Sequence, residues 1–163
     1  MIFDIRRLFA AFARRRPPHA RDPFARGVAA LALGEHARAI AEFEDALPGA
    51  PGDRARATLH NKRGVAYVGL GDPAAALEAF AMALDYDERC APALANVGNL
   101  LFEEGHPADA LGYYEAATRA DPEYPIGFRN LGVVLKALGR RSEAVRALRT
   151  ASRLESRRRS ERA

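Results

Sequence analysis

The sequence predicts an all-α fold built as a solenoid of stacked helix pairs. Three observations carry this expectation. Residues 91–122, APALANVGNLLFEEGHPADALGYYEAATRADP, hold two amphipathic helical runs joined at Gly105-His106-Pro107. The stretch recurs when the chain is shifted by 34 residues (98 minus 64, 132 minus 98): Gly64, Gly98 and Gly132 fall in one column. So do Gly71, Gly105 and Gly139; Ala76, Ala110 and Ala144; Phe80, Tyr114 and Leu148; Ala83, Ala117 and Ala151. A fixed period of this size marks a repeat array, in which no helix pair can bury its apolar face alone and stacked neighbours complete the core. Third, glycine and alanine recur where paired helices must approach closely, while the Phe80, Tyr114 and Leu148 column fills the space between units.

Taken in order, the chain opens with Met1–Ala13, a helix-patterned run. Ile2, Ile5, Phe9 and Phe12 fall on one side with Leu8 beside them, and Arg6 and Arg7 lie off the stripe. Charged residues interrupt any apolar core, so the run is not read as a secretory signal. It suits three roles: a cap on the first repeat, an insertion into a membrane interface, or a loose tail or partner-binding helix. Pro17-Pro18 ends it. Helix pairs then follow at about 20–33 and 36–47, 54–70 and 73–86, 92–104 and 107–120, and 126–138 and 142–156. Within pairs, Gly71-Asp72-Pro73 and Gly105-His106-Pro107 close one helix with glycine and open the next with proline. Gly27 precedes Gly64 by 37 residues (64 minus 27), so three extra residues sit between the first two units, within Pro48–Arg56. In the last helix, Arg146, Arg149 and Arg153 repeat on one face opposite Ala144, Leu148 and Ala151. Such a polar outer face is expected to end the stack. A basic frayed end, 157–163, is expected after it.

Composition bounds the function. The 163 residues, 48% hydrophobic, suffice for one domain with appendages. No run approaches the roughly 18 apolar residues of a membrane span. One cysteine, Cys90, excludes an internal disulfide framework and reads as a packed or semi-exposed loop thiol. His19, His36, His60 and His106 have no metal-ligand spacing. Residues 1–26 carry +5 and residues 140–163 carry +6, which leaves −7 for the middle of a chain whose total is +4. The basic charge sits at the ends and not across a folded face, which disfavours nucleic acid.

The columns resemble the tetratricopeptide repeat (TPR) family, whose pattern is W-x2-L-G-x2-Y, then A-x3-F, then Pro, over 34 residues. His60, Arg63, Gly64, Tyr67, Ala76 and Phe80 match in the second unit; Leu94, Val97, Gly98, Leu101, Ala110, Tyr114 and Pro122 in the third. Phe128, Leu131, Gly132, Leu135, Ala144 and Leu148 match in the fourth, and Gly27, Ala30, Gly34, Ala39, Phe43, Ala46 and Pro51 more weakly in the first. The tryptophan column is never Trp, and Arg26 and Arg63 occupy an apolar column. The resemblance implies a right-handed α-solenoid of four TPR units at 20–53, 57–90, 91–124 and 125–156. They would stand between a basic amphipathic helix with its proline linker (1–19) and a basic tail (157–163).

By the same resemblance, the first helix of each pair lines a concave groove for peptides. Asn96 and Asn130 share a column two residues before the unit's glycine, Lys62 takes that column in the second unit beside Asn61, and Asn99 follows Gly98. An amide offers both donor and acceptor to an extended backbone. Lys62, Arg129 and Lys136 add positive charge, suited to an acidic or C-terminal segment, and Phe102 adds an apolar anchor. As exposed polar positions, these amides are expected to carry little stability. No phosphate loop, nucleophile–base pair or paired carboxylate set is legible, so neither an enzyme nor a cofactor or small-molecule substrate is expected. The sequence reading is a cytoplasmic, non-enzymatic scaffold for a protein or peptide. The alternative is a peripheral adaptor whose residues 1–16 dock on an anionic membrane at its inner face while the groove recruits a client.

Overall fold

The computed structural model describes residues 22–162; the amphipathic run at 1–16, with Ile2, Ile5, Leu8, Phe9 and Phe12, lies outside the described residues. Those described form eight α-helices and no strand. They are α1 (Pro23–Ala32), α2 (His36–Ala46), α3 (Asp53–Gly69), α4 (Pro73–Tyr86), α5 (Ala91–Glu103), α6 (Pro107–Ala120), α7 (Pro125–Ala137) and α8 (Arg141–Ser160). A 3₁₀ turn, Leu47–Gly49, follows α2. None of these helices is long and apolar enough to cross a membrane.

Local chemistry sets the boundaries. Proline, already fixed in φ and lacking an N–H, takes the first position of α1, α4, α6 and α7. Asp22 and Asp72 cap two of these starts, accepting from Phe24 N and Ala75 N at 3.0 Å. Inside every pair, a glycine (Gly34, Gly71, Gly105, Gly139) turns the chain at φ of 74° to 85°. The next residue's N–H then bonds back into the finished helix, as from His106 to the Leu101 carbonyl at 2.8 Å. The same four-residue solution recurs because the same glycine recurs.

Packing follows the chain, each helix lying against its sequence neighbours. In addition α1 touches α3, α3 touches α5 and α5 touches α7, whereas the second helices form no such row. The first helices therefore make the inner, concave layer, and the second helices splay outside it. Each pair is drawn together at one point. A methyl group on Gly27, Gly64, Gly98 or Gly132 would lie 2.3–2.8 Å from Phe43, Phe80, Tyr114 or Leu148 respectively, inside van der Waals contact. Phe43, Phe80 and Tyr114 are buried under the following unit, but Leu148 remains 37% exposed, with no further unit packed over it among the described residues. The column that seals the earlier units thus stays open at the end of the stack.

The last helix differs from expectation in length. It continues through Ser160 rather than ending at Ser156. Arg157 pairs with Glu123 at 2.8 Å, and the Arg158 guanidinium donates to the Glu123 carbonyl at 2.7 Å, so the α6–α7 loop anchors the added turn. Arg26 and Arg63, misplaced in an apolar column by sequence, are accommodated by ion pairs to α2: Arg26 to Glu42 at 2.6 Å and Arg63 to Glu44 at 3.0 Å. The Arg63 guanidinium carbon also stands 5.9 Å from the Tyr67 ring centroid.

Two glycine substitutions separate close approach from helix propensity. Gly64→Ala is expected to destabilise by about 1–3 kcal/mol, because the added methyl meets the buried Phe80 ring. Gly112→Ala, in mid-α6 with nothing within 4 Å of the new atom, should stabilise by about 0.4–1 kcal/mol. Thermal melts of both variants check the pair; equal and small effects would remove the glycine contact from the account.

Candidate functional site

The inner layer carries a continuous groove. A cavity of about 770 Å³ is bounded by α3, α5, α7 and the loops before α5 and α7. Its walls include Arg54, Thr58, Asn61 and Lys62 from α3, Asn96 from α5 and Ile126 from α7. Asp87, Arg89 and Asp121 stand on the loops. A smaller hollow of about 110 Å³ continues it, lined by Val65, Val68, Asn99, Leu100 and Glu103. Val65 and Asn96 belong to both.

The amides in this groove are bonded to one another across units. Asn96 Nδ2 donates to Asn61 Oδ1 at 2.9 Å, tying α5 to α3. Asn130 Nδ2 donates to Asn99 Oδ1 at 2.8 Å, tying α7 to α5. The same Asn99 oxygen accepts from the Tyr114 hydroxyl at 2.8 Å. Burial first, and then the charge of Glu103, push the Tyr114 hydroxyl up to about 12, so it remains a donor across the physiological range. Asn99 therefore has both carbonyl lone pairs occupied. The Asn96 carbonyl oxygen and the Asn61 amino group take no further side-chain hydrogen bond among the described residues, with Asn61 only 7% exposed.

The sequence-predicted residues divide accordingly. Asn61, Lys62, Asn96 and Asn99 line the groove. Asn130 is placed as a brace for Asn99. Phe102, read as an anchor, is half-buried against the core beside Leu101 and Leu138. Lys136 is exposed and lines neither cavity. Arg129 is ion-paired with Glu155 of α8. Its column in the third unit is Ala95, 1% exposed beneath the next unit, so Arg129 belongs to the open end of the stack.

The family model for the tetratricopeptide repeat matches residues 6–54 and 61–125. The chain belongs to the TPR family. In the TPR protein TTC0263 of Thermus thermophilus, the fold superposes with a TM-score of 0.68 at 25% identity, covering 83% of this chain and 74% of that one. MamA gives 0.67 at 19% identity, with 94% and 88% covered. YrrB, a TPR protein with an unusual peptide-binding site, gives 0.60 at 26% identity, with 82% and 68% covered. A curated barley (Hordeum vulgare) protein, the probable UDP-N-acetylglucosamine–peptide N-acetylglucosaminyltransferase SPINDLY, is 37% identical over 67 residues. That segment is 41% of this chain and 7% of the barley protein's length.

Within this TPR array, two groups of groove residues escaped the sequence reading. Thr58, Pro92 and Ile126 stand 34 apart (92 minus 58, 126 minus 92) and all line the groove, so their column was a legible signal. Arg54 and Arg89 had none: one lies in the inserted segment, the other in a loop. Cys90 packs against Ala57, Ala83 and Ala93, and burial pushes its thiol up. His60 takes the tryptophan column by stacking on Tyr86, with centroids 5.4 Å apart and planes at 11°. Arg56 approaches the same ring at 5.8 Å. Among the described residues, no group of His, Cys, Asp and Glu is arranged to hold a metal ion.

Two outcomes are expected of this site. Asn99→Ala strips the acceptor from both Tyr114 and Asn130 and should cost about 1–3 kcal/mol in a thermal melt, contrary to the sequence expectation for an exposed amide. A silent melt would mean that the bonds are dispensable. The second concerns pH. Burial, and secondarily the Arg63 charge, hold His60 below its ordinary value of 6.5. The unfolded chain then takes up the proton first, so stability is complete above about pH 6.5 and falls as pH drops below it. Melting temperature should decline from about 6.5 towards 5, a range in which carboxylates of ordinary pKa remain ionised, and His60→Phe should flatten that decline. An unchanged slope would assign the loss to other groups.

Proposed function

We propose that this chain is a non-enzymatic protein-interaction scaffold whose concave face holds an extended segment of a partner protein. One observation carries the reading: a single groove crosses three successive first helices and presents unspent amide valences at Asn61 and Asn96 beside the Lys62 ammonium. A peptide unit needs one acceptor and one donor, and Asn96 and Asn61 supply both within one hydrogen-bonded pair. Helix axes stand about 8–10 Å apart, so a groove across three helices matches about six residues of extended chain at ~3.3 Å each. YrrB, with its peptide-binding site on a similar fold, supports this use of the architecture.

Charge refines the partner. Arg54, Lys62 and Arg89 line the groove with Asp87 and Asp121 as the opposing carboxylates. The balance favours an acidic segment or a terminal carboxylate near Lys62, an attraction that weakens as salt shortens the Debye length. Arg129, although cationic, is neutralised by Glu155 and contributes little to that field.

The test begins with random dodecapeptides displayed on phage and selected on the full chain. The enriched sequence is then titrated by fluorescence anisotropy. Lys62→Glu with Arg89→Glu should weaken it by tenfold or more, reduce its salt dependence and leave the melt nearly unchanged. Undiminished affinity in that variant would overturn the groove reading.

A further inference from the structure

The extra residues between the first and second units do more than lengthen a loop. Helix α3 has 17 residues, whereas α5 and α7 have 13 each. By the 34-residue register the start of α5, Ala91, corresponds to Ala57 (91 minus 34). Asp53–Arg56 is therefore an added first turn on α3. It is held down by Arg56, which bonds Asp53 at 3.1 Å and stands over the Tyr86 ring.

This turn stands between two clefts. Arg54 lines the basic groove described above. Its neighbour Ala55 lines a different cleft of about 450 Å³, and Thr58, one turn on, is shared by both. The second cleft lies between the start of α1, the end of α2 with the turn after it, and α3. Phe24, Ala46, Ala50, Pro51 and Leu59 make its walls apolar. Among the described residues, the ionisable groups on it are two acids, Asp22 and Asp45. Asp45 is in no ion pair among the described residues, and Asp22 has one oxygen committed to the Phe24 N–H. Arg26, which feels both carboxylates, has its guanidinium on Glu42.

We propose that this insertion-built cleft is a second specificity pocket, which seats a bulky apolar side chain of the partner segment with a lysine or arginine beside it. The inference rests on the groove reading and extends it. An apolar hollow of this size suits a large side chain, which gains most from leaving water. Two carboxylates on its rim, with no cation among the described residues that line it, favour a positive neighbour and penalise a negative one. Continuity through Thr58 lets one extended segment enter both clefts. Such a segment is bipolar: apolar and basic where it meets α1, acidic where it meets Lys62. The chain's own residues 1–16 share the first chemistry and are the competing occupant.

The experiment uses the enriched phage-display sequence as a labelled synthetic peptide. The expected sequence carries Phe, Leu, Met or Trp next to Lys or Arg. Ala55→Phe, which fills the cleft, and Asp45→Lys, which reverses an exposed charge, should each lower its affinity at least tenfold. If both bind as tightly as the parent while Lys62→Glu with Arg89→Glu loses binding, this inference fails and the groove reading stands. If all of them bind equally, both fail. If deleting residues 2–16 raises affinity tenfold, and a synthetic 1–16 peptide competes with the labelled one, the chain's own segment fills the cleft and the proposal is overturned.

Discussion

Everything in this array depends on a large side chain seated on a bare backbone. In each unit, a glycine of the first helix lies beneath the residue sixteen positions later in the second (43 minus 27, 80 minus 64). The missing side chain lets the two helices close, and the ring then covers the gap. Phe80 is left 1% exposed and Phe43 0%. Because each ring is also covered by the next unit, one contact joins intra-unit closure to inter-unit stacking. A repeat array draws its stability from such nearest-neighbour terms. Its first helices are thereby brought side by side, and the groove is the space they enclose.

The third unit adds a polar branch to this contact. Tyr114 replaces phenylalanine, and its hydroxyl passes through the core to Asn99, which also receives Asn130. Core packing and groove wall are thus joined in one hydrogen-bonded chain spanning α6, α5 and α7. The Arg63–Glu44 pair works differently. With Glu44 half in water, its electrostatic gain is small, about 0–1 kcal/mol for such pairs. It serves to carry a charged head out of a packed column, and the Arg63 Nε that stays buried finds no partner.

The helix pairs were legible because glycine, alanine and ring recur in register, and each has a steric reason to do so. The site was legible only in part, because contact across units does not follow the column. Residues 34 apart occupy equivalent places, but the amides that meet are 35 apart (Asn61 and Asn96) and 31 apart (Asn99 and Asn130). Reading the column alone leaves Asn96 and Asn130 as free groove amides, when each is already spending a donor on a neighbour. Arg129 misled for a related reason. Its column faces the next unit, so in the last unit it marks an end face. Arg54 was invisible because it stands in the added turn, where no column exists. Leu148 kept its register and lost its cover, since burial in a stack depends on the unit packed above.

On this account the concave face of α3, α5 and α7 is the working surface and the outer helices are its support. Backbone amide shifts in two-dimensional NMR, followed as the selected peptide is titrated into the labelled chain, test this most directly. Perturbations are predicted at Arg54, Thr58, Lys62, Asn96 and Ile126, with α8 beyond Ala144 silent. Perturbations centred on Val145, Leu148 and Arg149, the exposed end of the stack, would contradict it.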